Sequence, residues 1–397
     1  MATEIRPGPR PPVKLGQRFA EIYGDADGLA MALAPGRVNL LGDHTDYNDG
    51  FVLPMTIDRA VYFALRRRAD TLVRMHSLNF AEEIRYDLDQ RPEVPPGAWT
   101  SYVTGTVEEL RKRGLVGAGF EAVIYGDVPL GGGVSSSAAL AVATLMALQT
   151  LFGFTLDGVA AAGVCQQVEH RYAGVRCGIM DQFAARMGRT NHALLLDCRN
   201  LSYNEIPLAL DEINVVIVNS GVKRALAGSK YNERRIECQQ AVDFFRQFDP
   251  AVKALRDVSA DLLENHQSAL PGKAGKRCRH VVMENQRVLD GAALLNNHDF
   301  ATFGALMEES HASLRELYEV SCPELDALVE IGLETDGVLG ARMTGAGFGG
   351  CTVHLAEPGA IPQLKERIAR IYPRRFKYKP DVYVLTRNLQ AGPVEFD

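Results

Sequence analysis

Residues 128–148 constrain the fold most, because a Gly/Ser-rich loop passes without a break into a segment of strong helix formers. Glycines let a ligand approach the backbone closely, and a helix start presents unpaired N–H groups and the positive end of the helix dipole. This order predicts a loop that binds phosphate. A Gly/Ser-rich linker that happens to precede a helix is the alternative interpretation.

Length and composition bound the class of protein. At 397 residues with 46% hydrophobic content, the chain is long enough for two domains. A net charge of −6 argues against a general nucleic-acid binder. The seven cysteines form no Cys-x-x-Cys pair, which predicts free cytosolic thiols rather than a zinc site or disulfides. No apolar run approaches the length of a membrane span, and we expect a loose Pro-rich leader without a signal peptide.

Hydrophobic patterning predicts a chain of mixed helices and strands, with helices dominating the second half. The predicted strands cover 38–41, 51–66, 72–79, 83–88, 120–125, 192–197, 215–219, 351–355 and 381–386. The predicted helices cover 17–23, 100–113, 157–172, 231–245, 251–265, 279–297, 299–318 and 323–333. A shift in composition near 201–211 predicts a domain boundary, which divides the chain into 1–205 and 206–397.

A dense polar loop follows the strand at 38–41 and holds Asp43, His44 and Asp46. Their spacing matches no known metal pattern, which favours hydrogen bonding to a polyhydroxylated ligand over metal ligation. A turn rich in Asp and Asn without any ligand is the third interpretation.

Two further residues stand out. Asp181 lies among small and apolar residues, so it is either a helix N-cap or a catalytic group. Trp99, the single tryptophan, precedes a predicted helix; a lone Trp is most often part of the core, but one at the end of an element can stack on a base.

The glycine motifs do not fit the common nucleotide signatures. Gly345, Gly347 and Gly350 match the dinucleotide pattern, yet a strand follows them instead of a helix. The loop at 131–137 lacks the lysine of the P-loop, and the H-R-D and D-F-G landmarks of protein kinases are missing. The remaining interpretation is a loop that binds phosphate without a lysine of its own.

Three ordered motifs resemble the GHMP superfamily of sugar and metabolite kinases, and within it the galactokinase family. Residues 36–50 (GRVNLLGDHTDYNDG) are similar to that family's signature GRVNLIGEHTDYN, 128–138 to its ATP loop, and 342–350 to its third motif. The resemblance also takes in 177–182, 192–199 and 219–235. It implies an α+β fold of two lobes, each with a mixed sheet and helices, and an active site between them.

The resemblance also implies roles for matching positions. Asp181 falls where the family places its catalytic base, and Arg37 where it places the partner that orients the base. The sugar-holding positions correspond to Asp43, His44, Thr45, Asp46, Gly178 and Tyr231. The nucleotide positions correspond to Gly131, Gly132, Gly133, Val134, Ser135, Ser136 and Ser137, with Ser77 and Trp99 as candidates for adenine or ribose contacts. Ser137 and Glu169 fall where the family binds Mg²⁺; without the resemblance, Glu169 could equally be a helix-surface carboxylate.

The chain departs from the family pattern at three positions. Asp43 replaces Glu and is one methylene shorter, so its hydrogen bond to the sugar needs a shift, a water or a different sugar. Val134 replaces Leu, a mild apolar change. Ala346 replaces Gly, which matters only if that position requires a positive φ.

The leading hypothesis is ATP-dependent phosphorylation of the anomeric hydroxyl of galactose to α-galactose 1-phosphate, with Mg²⁺ as cofactor. A kinase for another galactose-like hexose and a galactokinase-like sugar sensor are the alternatives. Sensors of that kind carry a shortened Ser/Ala loop, whereas residues 135–139 are intact here. We expect a cytoplasmic monomer whose partners are the sugar and ATP, with neither nucleic acid nor membrane.

Overall fold

The computed structural model describes residues 14–90, 92–222, 227–270 and 272–394. The predicted loose leader lies outside the described residues, apart from its last few. The strands are β1 (Ala30–Asn39), β2 (Phe51–Val52), β3 (Pro54–Arg67), β4 (Leu72–Ser77), β5 (Glu82–Asp87), β6 (Phe120–Gly126), β7 (His192–Asp197), β8 (Tyr203–Pro207), β9 (Asn214–Asn219), β10 (Val338–Thr344), β11 (Cys351–Ala356), β12 (Asp381–Leu385) and β13 (Gly392–Pro393). The α-helices are α1 (Leu15–Tyr23), α2 (Trp99–Arg111), α3 (Ser136–Phe152), α4 (Gly158–Val168), α5 (Met180–Met187), α6 (Ala227–Phe245), α7 (Ala260–His266), α8 (Ala274–Asn296), α9 (Phe300–Glu316), α10 (Pro323–Leu333) and α11 (Ile361–Arg375).

Nine of the described strands form the first sheet. Its main path runs β13-β1-β3-β6-β4-β5, and β7 joins β3, β2 and β8 beside it. The antiparallel pairing of β1 with β3 shifts register between Pro35 and Arg37. Such a bulge re-aims the side chains that follow it. Arg37, one of the predicted catalytic residues, lies directly after this irregularity, where β1 pairs with β3 again at Thr56.

Helix α3 packs against β1, β3 and α2. A helix that is apolar on all sides is stable only when it is buried, and α3 is buried from Ala138 to Leu148 except at Leu140. The Gly/Ser loop enters this helix through Ser135, which has a positive φ of 59°. The rigid core therefore fixes the start of the helix and the loop before it.

The second sheet has the order β10-β11-β9-β12, and all its pairs are antiparallel. Its central strand β9 carries a run of β-branched residues that is typical of a strand buried on both faces. Helices α9, α10 and α11 pack with this part of the chain. The chain then returns to the first sheet, where β13 pairs with β1. The predicted division at residue 205 falls within β8 and stays a prediction.

Two predicted helices differ in the structure, and α5, β8, β10 and β13 were not predicted. The helix predicted for 251–265 is instead a 3₁₀ turn (Leu255–Asp257) followed by α7. Asp257 causes the break, because its carboxylate accepts hydrogen bonds from the backbone N–H groups of Lys253 and Ala254. The helix predicted for 157–172 is regular only to Val168 and ends in one π-helical turn, Glu169–Ala173. Helix α11 was not predicted.

We predict that Gly304→Ala destabilises the protein by about 1–3 kcal/mol, the usual cost of overpacking a core. A Cβ at Gly304 of α9 would lie 1.8 Å from the carbonyl oxygen of Leu339, so α9 and β10 would have to separate. Gly163→Ala in α4 is the matched control, since no atom lies within 4 Å of its added Cβ. The control should gain up to about 1 kcal/mol from better helix propensity. Free energies of unfolding from denaturant titrations measure both; equal effects would contradict this packing.

Candidate active site

A cavity of about 320 Å³ opens between the polar loop that follows β1, the start of α5 and the turn after β10. Seven predicted site residues line it: Arg37, Asp43, His44, Asp46, Glu169, Asp181 and Tyr231. The sequence did not point to the others as site residues: Tyr47, Gly174, Val175, Cys177, Met180, Asn232, Gly345 and Ala346. The structure thus brings the first and third motifs to one cavity.

Arg37 and Asp181 form an ion pair in the lining of this cavity. Arg37 Nε and Nη2 both donate to Oδ1 of Asp181, at 2.9 and 2.5 Å. The third nitrogen, Nη1, donates to the carbonyl oxygen of Gly133 at 2.7 Å. Arg37 is buried, whereas Asp181 keeps 27% of its side chain exposed. Asp181 is not an N-cap, because that position of α5 belongs to Ile179.

The Gly/Ser loop reaches the same carboxylate. The Ser135 hydroxyl donates to Oδ2 of Asp181 at 2.5 Å and makes no capping hydrogen bond to α3. Gly131 and Gly133 have positive φ, and the Val134 carbonyl oxygen accepts from the Arg37 backbone N–H at 3.1 Å. The loop is therefore held against β1 by its backbone while its hydroxyls face the site.

Ser137 and Glu169 are hydrogen-bonded to each other, close enough to Asp181 for its charge to act on Glu169. Ser137 Oγ donates to Oε1 of Glu169 at 3.3 Å, and Gln182 Nε2 donates to Oε2 at 2.5 Å. Burial, together with the charge of Asp181, raises the pKa of Glu169 to about 7. Glu169 is buried, so it is not a helix-surface carboxylate. Within the described ranges, no group of three or more His, Cys, Asp or Glu residues could hold a metal by itself.

The polar loop supplies several hydrogen-bonding groups. A Cβ at Gly178 would lie 2.0 Å from Oδ2 of Asp46, so only glycine leaves room for that carboxylate. Burial and the charge of Asp181 raise the pKa of Asp46 to about 7. Burial lowers the pKa of His44 to about 3, so its ring is neutral, and its Nδ1 shares a hydrogen bond of 2.8 Å with the Tyr47 hydroxyl.

Thr45 and Tyr231 are two further residues predicted to hold the sugar. The Thr45 hydroxyl donates to the carbonyl oxygens of Gly42 and Phe51 and does not line the cavity. Thr45 therefore holds the loop's shape, and its contact with a sugar stays a prediction. The ring of Tyr231 lies 5.7 Å from the His44 ring and closes the cavity from α6.

A small crevice of about 50 Å³ lies on the other side of the Gly/Ser loop. Ser77 and Trp99 line it together with Phe80, Leu130 and Ser136. The Trp99 and Phe80 rings are stacked at 6.1 Å, and Trp99 Nε1 donates to Glu82 at 2.8 Å. Trp99 also packs partly on the core, as predicted for a lone Trp, and its contact with a base stays a prediction.

The structure adds Arg342 and Glu284, whose roles the sequence did not indicate. Arg342 lies in the third motif but was not singled out, and Glu284 lies in α8 with no recognisable signal. Arg342 Nη2 donates to Oδ2 of Asp43 at 2.5 Å, and the Gly345 N–H donates to Oδ1 at 3.0 Å. Ala346 is not among the residues with positive φ, so its replacement of glycine is tolerated.

No helix in the described parts of the chain is long and apolar enough to cross a membrane.

Comparison with known proteins identifies the family. Models of three families match the chain: the galactokinase galactose-binding signature over 17–67, the GHMP kinase N-terminal domain over 101–189 and the GHMP kinase C-terminal domain over 292–374. The galactokinase of Roseiflexus sp. (strain RS-1) is 47% identical over 381 residues, which is 96% of this chain and 97% of that protein. The galactokinase of Homo sapiens is 43% identical over 361 residues, which is 89% of this chain and 90% of that protein.

Solved structures support the same family. Lactococcus lactis galactokinase in complex with galactose superposes with a TM-score of 0.90 at 35% identity, covering 95% of this chain and 98% of that one. Methanococcus jannaschii mevalonate kinase shares the fold, with a TM-score of 0.65 at 19% identity over 91% of this chain and 98% of that one. The protein is thus a kinase of the GHMP class, and the predicted α+β fold is confirmed. Within that class the chain belongs to the galactokinase family.

We predict that Asp46 makes the stability of the ligand-free protein fall as pH rises from about 4 to 7. Its pKa is raised in the folded state from the ordinary value of 3.8 to about 7, so the folded protein holds a proton there that the unfolded chain releases. Asn does not titrate. The free energy of unfolding of Asp46→Asn minus that of the wild type should therefore increase across this range.

Glu319→Gln is the control for that measurement. Burial raises the pKa of Glu319, but hydrogen bonds from Lys273 and Arg277 outweigh it and lower the pKa to about 2. Its difference from the wild type should therefore stay constant above about pH 5.5. A constant difference for Asp46→Asn would contradict the pKa shift.

Proposed function

We propose that this chain transfers the γ-phosphoryl group of ATP to the anomeric hydroxyl of galactose, producing α-galactose 1-phosphate and ADP. One observation carries the proposal: the Asp181 carboxylate lies in the sugar-sized cavity and is bonded to both Arg37 and Ser135 of the Gly/Ser loop. Support also comes from family membership and from the galactokinase structure that contains galactose. These relatives favour galactose over another hexose.

Asp181 acts as the general base in this proposal. The anomeric oxygen attacks the γ-phosphorus, the bond from that phosphorus to the β,γ-bridging oxygen breaks, and the hydroxyl proton passes to the Asp181 carboxylate. The sugar hydroxyl would take the place of Ser135 at Oδ2, while Oδ1 stays with Arg37. The exposed part of the Asp181 side chain gives the sugar access.

Arg37 has two roles. It donates two hydrogen bonds to Oδ1 of Asp181 and so orients the carboxylate towards the sugar. Its Nη1 lies on the Gly133 carbonyl, which puts the guanidinium at the phosphate end of the site. There it offsets the negative charge of the phosphoryl group in transfer.

The Gly/Ser loop holds the nucleotide. Residues 131–137 offer backbone N–H groups and hydroxyls at the start of α3, where the helix dipole favours phosphate. The crevice at Ser77 and Trp99 adjoins Ser136 and takes the adenine ring. Its lining of Phe80, Leu130 and Val128 suits a flat aromatic ligand.

Ser137 and Glu169 suit Mg²⁺. A hydroxyl and a carboxylate oxygen 3.3 Å apart are hard ligands, and Mg²⁺ needs only one or two protein groups beside phosphates and water. The raised pKa of Glu169 also fits a site that gains stability when a cation neutralises it. Bound there with ATP, Mg²⁺ would offset phosphate charge.

The sugar is held by the polar loop and its neighbours. Asp43, His44 and Asp46 offer acceptors and a neutral ring, and Gly178 and Tyr231 shape the walls. The division into lobes 1–205 and 206–397, the monomeric state, the cytoplasmic location and the lack of nucleic-acid or membrane partners stay predictions from the sequence.

We predict that Asp181→Asn lowers kcat for galactose by about 10²–10⁴-fold, the usual contribution of a general base. The amide cannot accept the proton. Asp197→Asn is the matched control, because Asp197 is also a carboxylate paired with arginine, at 2.6 Å from Arg256, yet does not line the cavity. ADP release measured with galactose and Mg-ATP checks both; turnover within tenfold of wild type in Asp181→Asn would remove Asp181 as base.

We predict that Trp99→Ala raises the KM for ATP about tenfold and leaves the KM for galactose within twofold, because stacking on a base contributes about 1–3 kcal/mol. Initial rates with each substrate varied in turn measure this. A rise in the galactose KM alone would place the adenine elsewhere.

A further inference from the structure

A cluster of buried charges joins the polar loop to the second sheet. Asp43, Arg342 and Glu284 are 1%, 0% and 0% exposed. Asp43 lies in the loop after β1, Arg342 in β10 and Glu284 in α8. An unpaired charge at such a depth is strongly unfavourable, so each member depends on the others.

Arg342 makes two hydrogen bonds that need the forked shape of a guanidinium, because they come from two different nitrogens. Its Nη2 donates to Oδ2 of Asp43 at 2.5 Å, and its Nη1 donates to the carbonyl oxygen of Leu40 at 2.8 Å. Both partners belong to the stretch that carries the sugar-binding loop. Arg342 therefore ties this loop to β10.

Glu284 holds the other side of the cluster. Its Oε1 accepts from the Gly42 N–H at 2.9 Å and the Ser310 hydroxyl at 2.6 Å, and lies 4.0 Å from Arg342 Nη2. Its Oε2 accepts from Arg287 at 2.7 Å. Two carboxylates and two guanidiniums thus balance in charge, and Glu284 sets the position of both Arg342 and the loop backbone.

The cluster ends at the sugar cavity. Asp43 lines the cavity, and each of its oxygens has one protein donor, Arg342 or the Gly345 N–H. A carboxylate has about four acceptor positions, so it can still accept from a sugar hydroxyl. Asp43 is one methylene shorter than the glutamate of the family signature. The two donors, Arg342 and the Gly345 N–H, set the position of its acceptor oxygens.

We propose that Arg342, held in place by Glu284, is a positioning residue that fixes the Asp43 carboxylate as the acceptor for one sugar hydroxyl. Sugar recognition in this chain then depends on a side chain of the second sheet. The inference rests on the proposed function. Arg342 touches Asp43 and not the reacting atoms, so it acts on sugar affinity and not on phosphoryl transfer.

Arg342→Lys tests this role, because lysine keeps the charge but not the fork of donors. We expect the galactose KM to rise about tenfold, which corresponds to one hydrogen bond to a charged group. The ATP KM and kcat should stay within about twofold, since the lost interaction is made equally in the ground state and the transition state.

Arg277→Lys is the matched control. Arg277 is also 0% exposed and pairs with two carboxylates, Glu237 at 2.7 Å and Glu319 at 2.8 Å, but it does not line the cavity. Melting temperatures of both variants measure the structural cost. The control should lose stability without a change in the galactose KM.

A set of monodeoxygalactoses separates positioning from general damage. The penalty of Arg342→Lys should disappear for the one sugar that lacks the hydroxyl bound by Asp43 and persist for the others. Asp43→Asn, which preserves side-chain size, should show the same pattern even if Arg342→Lys folds poorly. An equal penalty for every sugar in both variants, or an unchanged galactose KM, would overturn the positioning role. A wild type inactive on galactose would instead contradict the proposed function.

Discussion

The ion pair between Arg37 and Asp181 organises this structure. Arg37 follows a bulge within β1, Asp181 lies in the first turn of α5, and the Arg37 guanidinium also donates to the carbonyl oxygen of Gly133. Three segments far apart in sequence therefore meet at one charged contact. Because the pair lies at the edge of the cavity, the contact that stabilises the fold also orients the group proposed to accept the proton.

Buried ionisable side chains recur around the site. Asp46 and Glu169 have raised pKa values because burial and the charge of Asp181 both disfavour a further negative charge. Glu284 has its pKa lowered to about 2 because Arg287, His280 and Arg342 outweigh its burial. Asp46 and Glu169 line the cavity, whereas Glu284 pairs with Arg287 and ties α8 to the backbone of the polar loop.

The sequence predicted the parts of the site that depend on local chemistry. The Gly/Ser loop before an apolar helix and the polar loop after a strand both lie where the motifs placed them, because backbone freedom and helix starts are local properties. The break at Asp257 and the π-helical turn at Glu169 were missed, since a single side chain or turn overrides periodicity there. Glu284 could not be found from sequence, because its importance comes from contacts with residues far from it in the chain, such as the Gly42 N–H at 2.9 Å.

The most direct test of the account is the identity of the product. Phosphorus NMR of the protein with galactose and Mg-ATP follows every phosphate species in one experiment. The account predicts a phosphomonoester signal coupled to the anomeric proton of the sugar, growing in step with ADP. Release of inorganic phosphate without that signal, or a phosphate on another hydroxyl, would contradict it.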